Sequence, residues 1–272
     1  MKLTFYGVRG SVPTPGQDTV RYGGNTTSIL LENKASDFLI LDAGTGIRNL
    51  GKDIQKYAND IYILLSHNHW DHIQGFPYFI PAYIPEKKIN IIPGLTEEYE
   101  PKAILKQMKG SFFPINSKDL SAKILITPIK SHSWKYKTFQ ISRTRMNHPG
   151  GGSAYKIITD ERTIVYATDN ELFPPYPVAT TFEQWVQFCI KADFLIHDGQ
   201  YLPEDYPFKR GWGHSQIQHA LELALQAHVK NLVLVSHDPD RTDEQIDKLQ
   251  SDLNKGEFPF NIIFAYEGLT LI

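Results

Sequence analysis

The chain has a single cysteine, Cys189, among 272 residues. That excludes an internal disulfide and any zinc site built from several thiolates. Cys189 also lies on the apolar stripe of a candidate helix, where a thiol serves as a small core residue. Long apolar runs are missing as well. None approaches the roughly 18 residues needed to cross a bilayer. The opening Met1-Lys2-Leu3-Thr4-Phe5 has no basic stretch followed by an apolar one, so the expected location is cytoplasmic, with no membrane partner. Neither sign of charge dominates. The formal net charge is −2 and no lysine or arginine block stands out, so extended nucleic-acid binding is not expected. Low-complexity linkers and short-period repeats are absent too. With 41% apolar and 21% charged residues, the composition is that of an ordinary globular protein. One α/β domain spanning residues 1–272 is the simplest expectation.

Short β-prone runs and amphipathic helices alternate along the chain. Thr27–Leu31 and Phe38–Leu41 read as a hairpin, and Ile47, Leu50, Ile54 and Tyr57 have helical spacing. Further strands are expected at Leu3–Tyr6, Ile61–Leu65, Ile89–Ile92, Lys123–Ile126, Thr138–Met146, Ala154–Ile158 and Thr163–Thr168. Three more follow at Phe194–His197, Leu232–Val235 and Asn261–Tyr266. Helices are expected at Ala103–Met108, Thr181–Lys191, Ser215–His228 and Thr242–Leu253. The last three open with the spacing of a capping box, Thr180/Glu183 or Thr181/Gln184 in the first, Ser215/Gln218 in the second and Thr242 with its Gln three residues on in the third. Residues 76–120 are the least regular, being rich in aromatics and proline.

What the chain does have is histidine in one place. Ser66-His67-Asn68-His69-Trp70-Asp71-His72 packs four metal-competent side chains into six residues, directly after the apolar run Ile61–Leu65. Such a density is costly to hold together without a cation to offset it. Side chains two apart in an extended loop point the same way, so His67 and His69 can grip one ion while Asp71 and His72 reach a second. Other strand ends deliver similar chemistry. His148 follows the strand ending at Met146, Asp169 follows Ile164–Thr168, and His237 follows Leu232–Val235. One shared sheet edge is the natural meeting point. A carboxylate such as Asp169 can bridge two cations. Nitrogen and oxygen donors of this kind suit Zn²⁺, with Mn²⁺ and Fe²⁺ as alternatives.

The pattern His67-x-His69-x-Asp71-His72, with His148, Asp169 and His237, resembles the metallo-β-lactamase superfamily. The resemblance runs from Asp42-Ala43-Gly44-Thr45-Gly46 to Ser236-His237-Asp238. It implies a four-layer αββα sandwich with a dinuclear site at one edge of its sheets. Carried over by position, His67, His69 and His148 hold one metal. Asp71, His72 and His237 hold the other, and Asp169 bridges them. Histidine at position 69, where the flavodiiron branch has glutamate, implies hydrolysis rather than electron transfer. The segment Gly213-His214-Ser215, a helix, and then Val229–His237 is similar to the C-terminal part of tRNase Z and related phosphodiesterases. There the matching histidine contacts the scissile phosphate and donates a proton to the leaving oxygen, a role that falls to His214. Asp198 matches an acidic residue that pairs with this histidine and keeps it cationic. The catalytic set implied is therefore His214, Asp198 and Asp71.

Substrate is read from what is missing. The long basic, glycine-rich arm of the tRNA-processing enzymes has no counterpart in residues 76–120. Ser66–Pro77 and Gly211-Trp212-Gly213-His214-Ser215 are similar to bacterial and phage phosphodiesterases, including the anti-Pycsar type that hydrolyses cyclic nucleotides. The expected reaction is hydrolysis of a small 3′,5′-cyclic nucleotide by a metal-held hydroxide, with aromatics at 76–83 and 112–113 available to stack on a base. The resemblance also implies a homodimer. The alternatives are an RNA-processing nuclease, a hydrolase of lactones, thioesters or β-lactams, and an inactive metal-binding regulatory protein. The His214 match argues against the ester and lactam chemistries, and the complete ligand set against an inactive protein.

Overall fold

The structure is a computed structural model that describes residues 1–57, 60–159 and 161–272. Among the described residues, fourteen strands form two mixed sheets. The first contains β1 (Lys2–Gly7), β2 (Ser28–Glu32), β3 (Phe38–Leu41), β4 (Ile61–Leu64), β5 (Lys88–Ile92) and β6 (Lys123–Ile126) in sequential order. The second contains β7 (Ser133–Tyr136), β8 (Phe139–Arg145), β9 (Ser153–Ile158), β10 (Thr163–Ala167), β11 (Phe194–Asp198), β12 (Asn231–Val235) and β13 (Asn261–Phe264), again in sequential order. The chain returns at its end to add β14 (Thr270–Leu271) beside β1.

Helices cover the outer faces. Those of the first half are α1 (Ile47–Ile54), α2 (Trp70–Ile73) and α3 (Ala103–Lys106). Those of the second are α4 (Phe182–Cys189), α5 (Tyr206–Lys209), α6 (Ile217–Gln226) and α7 (Asp243–Asn254). This is the αββα sandwich, and side-chain alternation explains it. In β4, Tyr62 and Leu64 face the layer between the sheets, while Ile61 and Ile63 join Ile47, Leu50 and Phe79 on the helical side. In β12, Val233 and Val235 enter the inter-sheet layer, while Leu232 and Leu234 pack with Trp185, Ala220 and Leu223. Strands buried on both faces read as unbroken apolar runs, as these do.

The expected elements are present; β7, β14, α2 and α5 are additional to them, and two details differ. The 138–146 segment is preceded by β7, which pairs antiparallel with β8. The helix expected over residues 103–108 is a single turn. Thr181/Gln184 and Thr242/Gln245 form complete capping boxes, whereas Ser215 caps nothing. Its hydroxyl donates to the Asn170 carbonyl (2.7 Å) and accepts from Leu172 N–H (3.0 Å), and α6 starts two residues later.

Direction is what matters for the site. β3, β4 and β5 run parallel. β10, β11 and β12 run parallel, and β8 shares their direction through two antiparallel steps via β9. The residues at or just after the ends of β3, β4, β8, β10, β11 and β12 carry the chemistry.

Candidate metal centre

Asp42 organises the first half of the site. It is fully buried, directly after β3. Its carboxylate accepts from Ser66 N–H (2.6 Å), Ser66 Oγ (2.7 Å), Tyr166 OH (2.5 Å) and His72 Nδ1 (2.8 Å). With Nδ1 committed to Asp42, the His72 ring turns Nε2 toward Asp169 Oδ2 (3.1 Å) and Asp71 Oδ2 (3.3 Å). His148 is oriented in the same way. Its Nδ1 donates to the Gly213 carbonyl at 2.9 Å, leaving Nε2 facing His69 Nδ1 at 3.0 Å. Such partners fix the tautomer and aim the remaining nitrogen.

Gly213 makes that approach possible. It has φ of +93°, and a Cβ there would lie 2.0 Å from His148 Nδ1. Only glycine tolerates both demands. The loop is held from below by Glu171, which is wholly buried. Glu171 accepts from Gly211 N–H (2.9 Å), Gly213 N–H (3.0 Å) and Tyr206 OH (2.8 Å).

The ligand-type atoms gather into three groups within 4.8 Å: His67, His69 and His148; His67, His72 and Asp169; and Asp169, Asp198 and His214. His67 Nε2 is buried with no hydrogen-bond partner, an arrangement that costs energy unless an ion completes it. Burial lowers the pKa of His67, His69 and His148, the last to about 4, so these imidazoles are neutral and their lone pairs available. Burial also opposes charge on His72, but Asp169, Asp71 and Asp42 override it and hold the ring well above its usual value. A nitrogen set between two carboxylates calls for positive charge there, as a proton or as a cation. The donor set therefore fits divalent metal.

His214 stands beside this group. It is buried, with Nδ1 2.5 Å from Asp198 Oδ2 and Nε2 4.0 Å from Asp169 Oδ2. Burial alone would lower its pKa, yet Asp198 and Asp169 raise it to about 9. Asp198 is itself steadied by Gln200 N–H (3.0 Å) and Ser215 N–H (3.3 Å). His214 is a buried imidazolium with one N–H pointing toward the histidine cluster.

One assignment needs correction. His237 does not join the cluster. Its Nε2 donates to the Ala265 carbonyl at 2.7 Å, and its ring stacks on Phe264 and meets the edge of Tyr22. It belongs to none of the three groups of ligand-type atoms among the described residues. The side chain that the end of β12 delivers is Ser236, whose Oγ donates to Asp169 Oδ1 at 3.0 Å. Ser236 has φ of 56°, and Asp42 and Asp169, just past β3 and β10, are also left-handed at 59° and 48°. Strained backbone of this kind gathers at functional sites.

The aromatics divide. Phe76 and Phe79 are core residues, while Tyr78 and Phe112 are exposed and Phe113 packs edge-on against Tyr78. Trp70 and Trp212, neighbours of His69 and Gly213 in sequence, are 67% and 64% exposed. Beside His67 and His69 lies a pocket of about 320 Å³ whose wall includes Glu97, Glu98 and Glu100 and no lysine or arginine. Sequence reasoning passed over Asp42, Glu171 and Ser236 as site residues. Their only sequence signal is position, each falling at or just beyond the end of an apolar strand.

Fold and site together define a metal-dependent hydrolase. Residues 38–237 match the family described as beta-lactamase superfamily domain, and the chain belongs to it. Ribonuclease Z of Picrophilus torridus is 24% identical over 278 aligned residues, covering 86% of this chain and 84% of the relative. Among solved structures, the short form of human tRNase Z superposes with a TM-score of 0.69 at 18% identity, covering 100% of this chain and 99% of the other. A diphosphatase from the PhnP family superposes with a TM-score of 0.70 at 16% identity, covering 99% and 96%. Among the described residues, no helix is long and apolar enough to cross a membrane.

Proposed function

We propose that the chain is a phosphodiesterase acting on small phosphodiesters, with 3′,5′-cyclic nucleotides as the substrate class. The observation that carries this reading is the buried His214–Asp198 pair, 2.5 Å apart and 4.0 Å from Asp169. Cleaving a 3′,5′-cyclic nucleotide expels a ribose alkoxide, a poor leaving group that needs a proton. His214 is held protonated for that purpose, and Asp198 keeps its ring oriented and charged. The nitrogen of His214 that faces the cluster is the one that delivers the proton.

His67, His69 and His148 would hold one divalent ion, and Asp71, His72 and Asp169 a second, with Zn²⁺ the ion expected. Bound metal would supply an activated water and neutralise charge developing on the phosphoryl oxygens. The chain's own residues do the rest. Asp42 and the Gly213 carbonyl keep His72 and His148 aimed, and burial of His214 keeps bulk water from its proton.

Small size of the substrate is supported by the surroundings. A long polyanion would meet Glu97, Glu98 and Glu100 beside the site, and no basic residue lines that pocket to track a phosphate backbone. Trp70 and Trp212 could stack on a base. A homodimer belongs to the same proposal, with light scattering as its check. The second reading is an RNA-processing nuclease, favoured by the similarity to ribonuclease Z. The deciding experiment is a screen of purified, metal-loaded protein against cyclic mono- and dinucleotides and against pre-tRNA. Turnover of a cyclic nucleotide supports the first reading. Cleavage of pre-tRNA with no cyclic-nucleotide turnover replaces it with the second.

A further inference from the structure

We infer that the two cation positions are chemically unequal, and that Ser236 is the residue that makes them so. Position one has three imidazoles, His67, His69 and His148, with ring nitrogens converging. Position two centres on His72 Nε2, with Asp169 Oδ2 at 3.1 Å and Asp71 Oδ2 at 3.3 Å; Asp71, whose Oδ2 also accepts from Ser11 N–H, stands outside the three converging groups, and β12 adds nothing. The strand end that could have supplied a nitrogen presents a hydroxyl, and the neighbouring histidine is spent on the Ala265 carbonyl and on Phe264.

Ser236 also shapes the carboxylate that both positions share. Asp169 Oδ1 accepts from Thr168 Oγ1 (2.9 Å) and from Ser236 Oγ (3.0 Å), and the two hydroxyls lie 2.8 Å apart. Only Oδ2 faces the cluster, 3.1 Å from His72 Nε2 and 3.9 Å from His67 Nε2. A single oxygen of Asp169 would therefore be left to share between two ions held there. Position two then offers two carboxylates and one imidazole, an oxygen-rich and incomplete set. Imidazole-rich sets favour Zn²⁺, while carboxylate and water favour Mn²⁺ and similar harder ions. The centre is thus built to keep one Zn²⁺-like ion firmly and to take up a harder ion reversibly. Missing a protein ligand, position two should bind at least about tenfold more weakly than position one.

This inference rests on the metal-hydrolase reading of the site, and metal stoichiometry separates the two. Purified protein is loaded with Zn²⁺, dialysed against metal-free buffer, and its metal measured by mass spectrometry of the intact chain. Mn²⁺ is then titrated in and followed by electron paramagnetic resonance. One retained zinc per chain and one reversibly bound manganese is the expected result. Ser236→His should raise retained zinc to two. Because a larger side chain at a fully buried position can perturb folding, Asp71→Asn is the second variant: it should abolish manganese binding and keep the retained zinc. Two firmly retained zincs in the unaltered chain, or manganese binding unaffected by Asp71→Asn, would overturn the inequality. No retained ion at all would overturn the metal centre and this inference with it. Activity need not be measured for any of these outcomes.

Discussion

Replacing His214 with alanine should separate proton delivery from every other function of the site. His214 caps no helix, since α6 begins at Ile217 after Gln216; its loss leaves the buried Asp198 carboxylate without a partner, so stability should fall while the metal ligands stay in place. What disappears is a charged donor held by Asp198 at 2.5 Å. A positioned general acid contributes about 10²- to 10⁴-fold to rate, or roughly 3 to 5 kcal/mol of barrier. The full loss should appear with a cyclic nucleotide, whose departing ribose oxygen needs the proton. With bis(p-nitrophenyl) phosphate the leaving phenolate departs without one, so turnover should stay within about tenfold of the original. Asp198→Asn should give a smaller loss with the same substrate pattern, because the ring remains tethered but is less firmly cationic. The assay is steady-state kinetics on both substrates, with metal content measured on the same samples. Equal losses on the two substrates, with metal retained, would refute the assignment of His214 as proton donor. Loss of metal alongside activity would make the residue structural.

Three further outcomes follow from the surrounding shell. Glu171→Ala strands the N–H groups of Gly211 and Gly213, while the Tyr206 hydroxyl keeps the Phe173 carbonyl, and should cost about 3 kcal/mol in urea denaturation, with Glu171→Gln milder. Gly213→Ala sets a methyl group against His148 Nδ1, so retained metal should fall together with turnover, read by elemental analysis. His197 is fully buried, donates from Nδ1 to the Asp198 carbonyl (2.8 Å), and is lowered by burial to about 4. The unfolded chain takes up this proton below about pH 6.5 and the folded chain does not, so stability is whole above that pH and falls toward pH 4. By pH 5 the loss should be about 2 kcal/mol. The fall between pH 7.5 and 5, measured in urea, should be smaller by that amount in His197→Gln, the buried histidines that remain, such as His148, keeping their own share.

Much of this was legible in the sequence because it is local. An apolar strand leading into four donors in six residues announces itself, and so do the boxes at Thr181 and Thr242, whose partners lie one turn away. The parts that were not legible depend on distant partners or on one dihedral angle. Asp42 acts through His72 and Tyr166, 30 and 124 residues away. Glu171 acts through a loop some 40 residues on. Ser215 has the spacing of a helix cap, but a carbonyl at Asn170 competes for its hydroxyl and wins. At the end of β12 two adjacent side chains compete to face the site. The positive φ of Ser236 decides between them, and no spacing rule encodes that choice.

The side chains of the site come from both sheets. His67, His69, Asp71 and His72 leave the first, and His148, Asp169, Asp198 and Ser236 leave the second. Neither half of the chain carries a complete set, so catalytic competence is a property of the docked pair. A population in which the halves are folded but mispaired would keep its secondary structure and be chemically silent. Turnover per molecule therefore gauges how faithfully the two layers have come together, a quantity that circular dichroism on the same sample would miss.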